Sequence, residues 1–138
     1  MTDAHTLAEK YVALWTEPDE GRRRRVIAEL WTEDGKHILQ PPEEIRAIAA
    51  QPGIAMTAIL SAQGYEEIEA RATSVYEHWV GSEELSFRGR DDAERLGDVV
   101  KLHWEAVAKD GTVFAVGLSV LVLAPDGRIE RDYTFIVG

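Results

Sequence analysis

Apolar side chains recur every three or four positions in three stretches of the chain, which is the periodicity of an α-helix with one buried face. The first stretch covers Ala4 to Trp15 and presents an apolar stripe of Leu7, Tyr11, Leu14 and Trp15. The second begins around Pro18 and presents Val26, Ile27, Leu30 and Trp31. The third covers Tyr65 to Val80 and presents Ile68, Ala72, Val75, Tyr76 and Trp79. The pattern therefore predicts three amphipathic helices.

Residues at the ends of these stretches predict where each helix begins and ends. Thr2 or Asp3 can cap the first helix, because a side-chain oxygen at this position accepts a hydrogen bond from a free backbone N–H. Pro18 suits the first turn of the second helix. The segment from Glu33 to Gly35 is predicted to end the second helix, and Gly81 to end the third.

From Glu83 onward the apolar period changes to two residues, as in β-strands with one buried face. The alternating apolar residues are Leu85, Phe87, Val100, Leu102, Trp104 and Ala106, followed by an almost wholly apolar run from Val113 to Leu123. Asp-Gly pairs in Lys109–Gly111 and Ala124–Gly127 predict hairpin turns. With a closing strand from Arg128 to Val137, the second half is predicted to form a four-stranded antiparallel meander.

The stretch between the second and third helices gives weaker signals. Lys36 to Leu39 predicts a short strand, and Pro41 to Pro52 predicts a short helical segment. Ile54 to Ala62 is apolar without a clean period, and we favour a strand near Met56 to Leu60.

Helices at the front and strands at the back predict an α+β fold, with three helices on one face of a strongly curved antiparallel sheet. The length of 138 residues corresponds to a single domain. A long helix laid in a curved sheet leaves a cone-shaped space that side chains fill poorly at its wide end. We therefore expect a small-molecule site at that wide end.

Composition and charge exclude several classes of function. The formal net charge is −10, from 25 acidic and 15 basic residues, which argues against a nucleic-acid partner and against an anionic membrane surface. Without cysteine there is no disulfide, thiolate zinc site or cysteine nucleophile. No spacing motif for nucleotide, flavin or zinc occurs, so we expect no cofactor and no metal. No apolar run reaches a membrane span and the N-terminus lacks a signal-peptide layout, so we expect a cytoplasmic protein.

The order of elements and four short segments resemble the nuclear transport factor 2-like superfamily. These segments are Tyr11–Trp15 followed by Pro18-Asp19, Leu30–Gly35, Gly64–Ile68 and Asp126–Ile129, and the resemblance covers nearly the whole chain. The superfamily includes ketosteroid isomerases, scytalone dehydratases and SnoaL-like polyketide cyclases. The resemblance implies a cystatin-like, cone-shaped α+β barrel that holds a hydrophobic pocket.

The resemblance to ketosteroid isomerases also implies positions for site residues. The tyrosine that holds the oxyanion corresponds to Tyr11, and its acidic partner on the penultimate strand corresponds to Ser119. The proton-moving aspartate corresponds to Leu39 or Gln40, where no carboxylate stands. Because a proton shuttle needs an ionisable group within reach, steroid isomerisation is not expected.

In the polyketide cyclase-like members, catalytic polar residues come from the last strand, at positions that correspond to Asp132 and Thr134. A four-residue loop at Ala124–Gly127 pairs Ser119 with Asp132 and puts both on the pocket face. A three-residue loop with a glycine bulge instead pairs Ser119 with Tyr133 and turns Asp132 outward. We favour the four-residue loop, in which burial raises the pKa of Asp132 and suits it to acid or base work. In the other register Asp132 is a surface carboxylate paired with an arginine.

His37, Gln40, Trp15 and Trp104 are further candidates for ligand contact. His37 lies beside Gln40 at the expected mouth, where it is either a catalytic or ligand-contacting residue or an ordinary edge histidine. Trp15 and Trp104 lie on apolar stripes, and either fill the core or line a cavity that stacks a flat ligand.

The position of His103 depends on a turn. Strand alternation sends His103 and Glu105 to solvent or to a dimer contact. A three-residue turn at Lys109–Gly111 instead puts His103 on the Ser119 face, where it contacts the ligand.

Two hypotheses follow for the function. In the first, the chain is a cofactor-free enzyme that acts on a small apolar carbonyl-bearing or cyclic metabolite by proton abstraction, dehydration or ring closure. Tyr11 and Ser119 polarise an oxygen, and Asp132 or His37 moves the proton. In the second, the chain is a non-catalytic ligand-binding or dimerisation domain of the same fold. We expect a homodimer, because sheets with two apolar faces need burial on both. The outward strand face consists of Val116, Leu118, Val120 and Val122.

Overall fold

The computed structural model describes residues 3–40, 60–82 and 84–137. Within these ranges, three helices pack on a curled sheet, and all three predicted helices are confirmed. They are α1 (Ala4–Leu14), α2 (Glu20–Leu30) and α3 (Gly64–Val75), and α3 continues as one π-helical turn (Tyr76–Val80). Helix α1 begins at the predicted cap, because the Asp3 side chain accepts a hydrogen bond from the backbone N–H of Thr6 at 2.8 Å.

The second helix differs from its prediction at both ends. Asp19 caps it by accepting from the Arg22 N–H at 3.2 Å, so Pro18 precedes the helix instead of occupying its first turn. The helix ends at Leu30, and the segment predicted to end it lies inside a strand. The cause is tertiary, because the fully buried Trp31 has an extended backbone and pairs with the last strand of the sheet.

In the part of the chain that the structure describes, the sheet contains seven strands in the order β2-β1-β7-β6-β5-β3, with the short β4 paired to β5. They are β1 (Trp31–Leu39), β2 (Leu60–Gln63), β3 (Leu85–Gly89), β4 (Glu94–Leu96), β5 (Val99–Ala108), β6 (Val113–Leu123) and β7 (Ile129–Ile136). Strands β3, β5, β6 and β7 form the predicted antiparallel meander. Because β1 lies parallel to β7, the sheet is mixed, and the prediction of an antiparallel sheet is wrong for this pair of strands. Over the described ranges the strand order has two ends, and the curled sheet does not close into a barrel.

Both hairpins of the meander close with three-residue loops, and each is followed by a β-bulge. In the hairpin between β5 and β6 the loop is Lys109–Gly111, and Phe114 opposes no residue of the neighbouring strand. In the hairpin between β6 and β7 the loop is Pro125–Gly127, with Gly127 at φ 89°, and Glu130 is the unpaired residue. Each bulge shifts the register by one position and so reverses which residues of the two strands share a face.

The core lies between the helices and the inner face of the sheet. Its largest fully buried side chains include Trp31, Tyr11, Leu14, Ile27, Ile68, Leu102, Leu121 and Ile129. Within the described residues, none of the helices combines the length and apolar character needed to cross a bilayer. The helical segment predicted for Pro41 to Pro52 lies outside the described residues, as does the strand predicted near Met56 to Leu60 except for its last residue, where β2 begins.

Candidate active site

An apolar cavity of about 210 Å³ lies between the helices and the inner face of the sheet. Its walls include Trp15, Leu39, Val75, Phe87, Ala106 and Ile136, and its polar groups come from Tyr11, His37, Arg71 and Thr134. Trp79 and Phe114 also line it and are 42% and 67% exposed, so they mark its opening. An engineered cavity of about 150 Å³ holds one benzene molecule, so this space suits a single ring with a short substituent.

Four polar side chains meet at one end of the cavity, and we call them the polar cluster: Tyr11, Ser119, Asp132 and Thr134. The Tyr11 hydroxyl donates to Asp132 Oδ2 at 2.6 Å, and the Thr134 hydroxyl donates to Asp132 Oδ1 at 2.7 Å. The Ser119 and Thr134 hydroxyls lie 2.8 Å apart, and Tyr11 lies 3.1 and 3.2 Å from them. Asp132 lies fully buried behind Tyr11 and Thr134, which line the cavity.

Register and helix periodicity bring these side chains together. Ser119 of β6 pairs directly with Thr134 of β7, and Asp132 shares their face because it lies two residues before Thr134. Tyr11 belongs to the buried stripe of α1, which also holds Leu7 and Leu14. A helix packed on the inner sheet face thus delivers a hydroxyl to a carboxyl group 121 positions away in the sequence.

Trp104 fixes the direction of the hydrogen bonds in the polar cluster. Its indole Nε1–H donates to Ser119 Oγ at 3.0 Å. The ring lies flat across β6 because residue 117 is glycine: a Cβ there would lie 2.1 Å from two ring atoms of Trp104. An indole N–H only donates, so Ser119 must direct its own proton onward, to Thr134 or to Tyr11.

His37 and Arg71 form the other polar wall. Arg71 Nη1 lies 2.8 Å from His37 Nδ1 and donates to the His37 carbonyl oxygen at 2.9 Å. Because a guanidinium only donates, His37 Nδ1 must accept, which leaves the ring proton on Nε2. That nitrogen lies 3.5 Å from Asp132 Oδ2. Arg71 therefore turns the N–H of a neutral His37 toward the buried carboxyl group.

Burial dominates the titration of the site. It raises the pKa of Asp132 to about 7, against the hydrogen bonds from Tyr11 and Thr134, which lower it. Burial and the Asp132 charge raise the pKa of Tyr11 well above its ordinary value. Burial, with the positive charge of Arg71, lowers the pKa of His37 to about 3. Between about pH 3 and 7 the proton of the His37–Asp132 pair therefore belongs to Asp132, and His37 stays neutral.

Asp132 lies buried on the inner face of the sheet, but the loop predicted to put it there is wrong. The loop is the three-residue type, and Ser119 pairs neither with Asp132 nor with Tyr133 but with Thr134. The bulge at Glu130 adds one residue to β7 and returns Asp132 to the inner face.

Trp15 and Gln40 differ in what they contact. Trp15 lines the cavity, with its ring centroid 5.0 Å from that of His37 and 6.1 Å from that of Tyr11. The Gln40 amide oxygen accepts from the Ile136 backbone N–H at 2.9 Å, so this side chain ties the end of β1 to β7.

His103 is not on the pocket face, as strand alternation predicts, and the alternative in which it shares the face of Ser119 and contacts the ligand is wrong. The three-residue turn that favoured this face is present, but the bulge at Phe114 follows it, and Ser119 pairs with Leu102. His103 lines a separate, more open cleft, where its Nδ1 lies 2.6 Å from Asp92 Oδ2.

Arg71 is a site residue that sequence reasoning missed. Its only local signal is its position beside the buried stripe of α3, between Ile68 and Ala72. Its role depends on the pairing of β1 with β7, which brings His37 beside Asp132. Within the described ranges, no group of three histidine, aspartate or glutamate side chains could hold a metal ion.

Comparison with solved structures identifies the fold. A proposed isomerase of the SnoaL-like family from Agrobacterium tumefaciens C58 superposes over 100% of both chains, with a TM-score of 0.76 and 23% identity. A SnoaL-like protein of unknown function from Burkholderia thailandensis E264 covers 100% of this chain and 99% of its own, with a TM-score of 0.65 and 16% identity. This chain has the nuclear transport factor 2-like fold. The resemblance read from the sequence is thus confirmed for the fold.

A third solved structure was determined with a small molecule bound. A protein from Catenulispora acidiphila with a ketosteroid isomerase-like fold was crystallised with trimethylamine. It covers 93% of this chain and 82% of its own, with a TM-score of 0.61 and 17% identity. No family model and no curated protein matches the chain. Because the fold hosts many functions, the activity must be argued from the site.

Proposed function

We propose that this chain binds a small, mainly apolar molecule of about one ring and acts on an oxygen atom of that molecule as a cofactor-free acid catalyst. The observation that carries the proposal is the buried carboxyl group of Asp132. It is hydrogen-bonded by two hydroxyls, of Tyr11 and Thr134, that line an apolar cavity. A carboxyl group desolvated in this way holds its proton up to neutral pH, as an acid catalyst requires.

The geometry favours proton transfer to oxygen over proton abstraction from carbon. Abstraction needs a basic atom with a free lone pair facing the ligand. The imidazole of His37 lines the cavity, but its Nδ1 accepts from Arg71 and its Nε2 carries a proton. The Tyr11 hydroxyl can instead pass a proton to a ligand oxygen. Dehydration and ring closure therefore fit the site better than enolisation.

The proposed acid step uses two short proton movements. The ligand oxygen takes the Tyr11 proton while Tyr11 takes the proton of Asp132, whose Oδ2 lies 2.6 Å away. One O–H bond breaks at Asp132 and one forms on the ligand. Tyr11 loses one proton and gains another, so its hydroxyl group is restored. Asp132 is left as a carboxylate that accepts from Tyr11 and Thr134. Reversal of the same movements returns the proton.

Ring opening and closing of 2-hydroxytetrahydropyran tests this function, because both directions proceed by proton transfers at oxygen. NMR exchange between the cyclic and open forms should show a rate above that in buffer at pH 6. Tyr11→Phe should lose at least about tenfold of this acceleration, since general acid catalysis is worth about 10² to 10⁴. The control Tyr133→Phe removes a hydroxyl that contacts Arg131 on the surface and should change nothing. Equal rates with and without protein would contradict the catalytic role.

Ligand binding without catalysis is the second candidate, and one observation favours it. At the end of β1, at the position that corresponds to the proton-moving aspartate of ketosteroid isomerases, Leu39 lines the cavity and the amide of Gln40 binds the backbone of Ile136. Binding of the same probe without acceleration of its ring opening would select this candidate. Tryptophan fluorescence reports binding, because Trp15 and Trp104 line the cavity.

We also propose that a second copy of the chain covers the outer face of the sheet. On β6 the apolar residues that alternate with Ser119 are each partly exposed: Val116, Leu118, Val120 and Val122. Phe135 lies opposite Leu118 on the same face and is 43% exposed. Sedimentation equilibrium at micromolar concentration should give a dimer, and Leu118→Lys should give a folded monomer. A monomeric parent chain would contradict this part.

A further inference from the structure

The hydrogen-bond donors of the polar cluster and Trp104 can be counted, and with ionised Asp132 every one of these is committed within the network. Four groups bring one proton each: the indole of Trp104 and the hydroxyls of Ser119, Thr134 and Tyr11. Trp104 donates to Ser119 at 3.0 Å, and Ser119 lies 2.8 Å from the Thr134 hydroxyl. Thr134 and Tyr11 each donate to one oxygen of Asp132. The Asp132 carboxylate thus accepts the last hydrogen bond of two chains, one that runs from Trp104 through Ser119 and Thr134 and one that comes from Tyr11.

In that state the polar cluster, unlike the opposite wall of His37 and Arg71, offers only lone pairs to a ligand. The Tyr11 and Thr134 hydroxyls line the cavity, but both protons point away from it, toward Asp132. A ligand hydroxyl can donate to one of these oxygens. A carbonyl oxygen, which only accepts, finds no proton there and leaves a buried acceptor unsatisfied, which costs about 1–3 kcal/mol.

One added proton changes what the cavity offers. A protonated Asp132 has its own O–H within 2.6 Å of the Tyr11 oxygen and donates to it. Tyr11 then no longer needs its proton for the carboxyl group and can turn it toward the cavity. The network now contains five protons and one spare donor, which is what a carbonyl oxygen requires.

We propose that the site takes up one proton, on Asp132, when it binds a carbonyl-bearing ligand, and takes up none when it binds the corresponding alcohol. This inference rests on the proposed binding function and adds that the protonation state of the site selects the ligand class. Tyr11 is the donor to the carbonyl, and Asp132 is the positioning residue that releases it.

The other charged or titratable groups near Asp132 leave this count unchanged. From α1 the facing group is Tyr11 itself, whose pKa is raised well above its ordinary value. From β1 it is His37, held neutral by burial and Arg71. From α3 it is Arg71, which donates to His37. Ser119 and Thr134 of the neighbouring strands do not titrate. Asp132 is therefore the group that gains or loses a proton near neutral pH.

Calorimetry with acetophenone and 1-phenylethanol tests the inference, because the two probes differ only in the oxygen group. Titrations at pH 8 in two buffers of different ionisation enthalpy give the number of protons taken up. Because the missing donor weakens ketone binding by about 5- to 160-fold, we expect about 0.2 to 0.9 proton for the ketone and about zero for the alcohol. Between pH 6 and 10 the Kd of the ketone should rise by about the same factor in total, while that of the alcohol stays nearly constant.

Two variants separate the possible outcomes. Asp132→Asn carries no titratable proton, so ketone binding should lose its pH dependence. Tyr11→Phe lacks the released donor, so ketone binding should be weak at every pH, which tests the inference even if the first variant fails to fold. Equal proton uptake for both probes would overturn the inference and leave the proposed binding function intact. Absence of binding for both probes in the parent chain would overturn both.

Discussion

The hydroxyl of Tyr11 donates to the carboxyl group of Asp132 at 2.6 Å, and neither side chain reaches solvent. The two residues come from the first helix and the last strand of the fold. A carboxyl group without water keeps its proton more readily, and the tyrosine connects that proton to the cavity. The chemistry proposed for the site follows from this contact.

Ionisation of Asp132 should lower the free energy of unfolding as the pH rises. The folded chain binds the Asp132 proton up to about pH 7, whereas the unfolded chain releases it near pH 3.8. The free energy of unfolding contributed by this group therefore falls by about 1.4 kcal/mol per pH unit between about pH 4 and 7. In Asp132→Asn this fall is absent, so the variant gains stability relative to the parent chain as pH rises. Urea unfolding from pH 4 to 8 measures it, with exposed Asp98→Asn as the matched control.

His37 should act with the opposite sign. The unfolded chain binds a proton on this histidine below about pH 6.5, but the buried ring resists protonation down to about pH 3. Its contribution to stability therefore rises by about 1.4 kcal/mol per pH unit between about pH 3 and 6.5 and is lost as the pH falls. His37→Gln lacks this rise, so its stability relative to the parent chain should fall as the pH rises from about 3 to 6.5. Exposed His78→Gln is the control. If the stability of His37→Gln relative to the parent chain rose with pH, as predicted for Asp132→Asn, the assignment would be contradicted.

Tyr11→Phe should destabilise the fold, and more so at high pH. The change removes one of the donors that satisfy the buried Asp132 carboxylate, a loss of about 1–3 kcal/mol. Above pH 7 the carboxylate is ionised, so the missing donor costs more than at pH 5, where the carboxyl group is neutral. Urea unfolding at pH 5 and 8.5 gives both values. A penalty independent of pH would show that the hydroxyl does not serve the carboxylate.

Gly117→Ala should displace the ring of Trp104. The added Cβ would meet two ring atoms at 2.1 Å, so the indole must move and lose its hydrogen bond to Ser119. We expect a loss of about 1–3 kcal/mol, as for other overpacked core positions, and a changed tryptophan emission maximum. Gly21→Ala is the matched control, because a Cβ there meets its nearest neighbour at 3.4 Å and the residue lies in a helix. An unchanged emission maximum in Gly117→Ala would argue against the close packing.

Local patterns predict the elements but not the register that builds the site. Helix periodicity placed Tyr11 on a buried stripe, and strand alternation placed Trp104 on the inner face, because both depend only on nearby residues. The bulges at Phe114 and Glu130 carry no such signal, because an aromatic and a charged side chain occupy them and neither needs a special backbone conformation. Asp132 was expected inside for the wrong reason, since the loop shift and the bulge compensate each other.

Pairing between strands far apart in the sequence accounts for the unpredicted positions of His37, Arg71 and Trp31. The parallel pairing of β1 with β7 joins segments about a hundred residues apart, places His37 beside Asp132, and draws Trp31 out of the second helix into a strand. The contact of Arg71 with His37 depends on that pairing as well. Side chains at such distances in sequence share no local pattern, so only the folded chain shows which of them meet.

The protonation state of Asp132 is the quantity on which the acid chemistry and the choice of ligand class both depend. A ¹³C NMR titration of the side-chain carboxyl groups, with Asp132→Asn used to assign the signal, measures it directly. We predict a midpoint at about pH 7 in the folded chain. A midpoint below about 5, near that of an exposed aspartate, would mean that Asp132 is ionised at neutral pH and has no proton to pass to Tyr11.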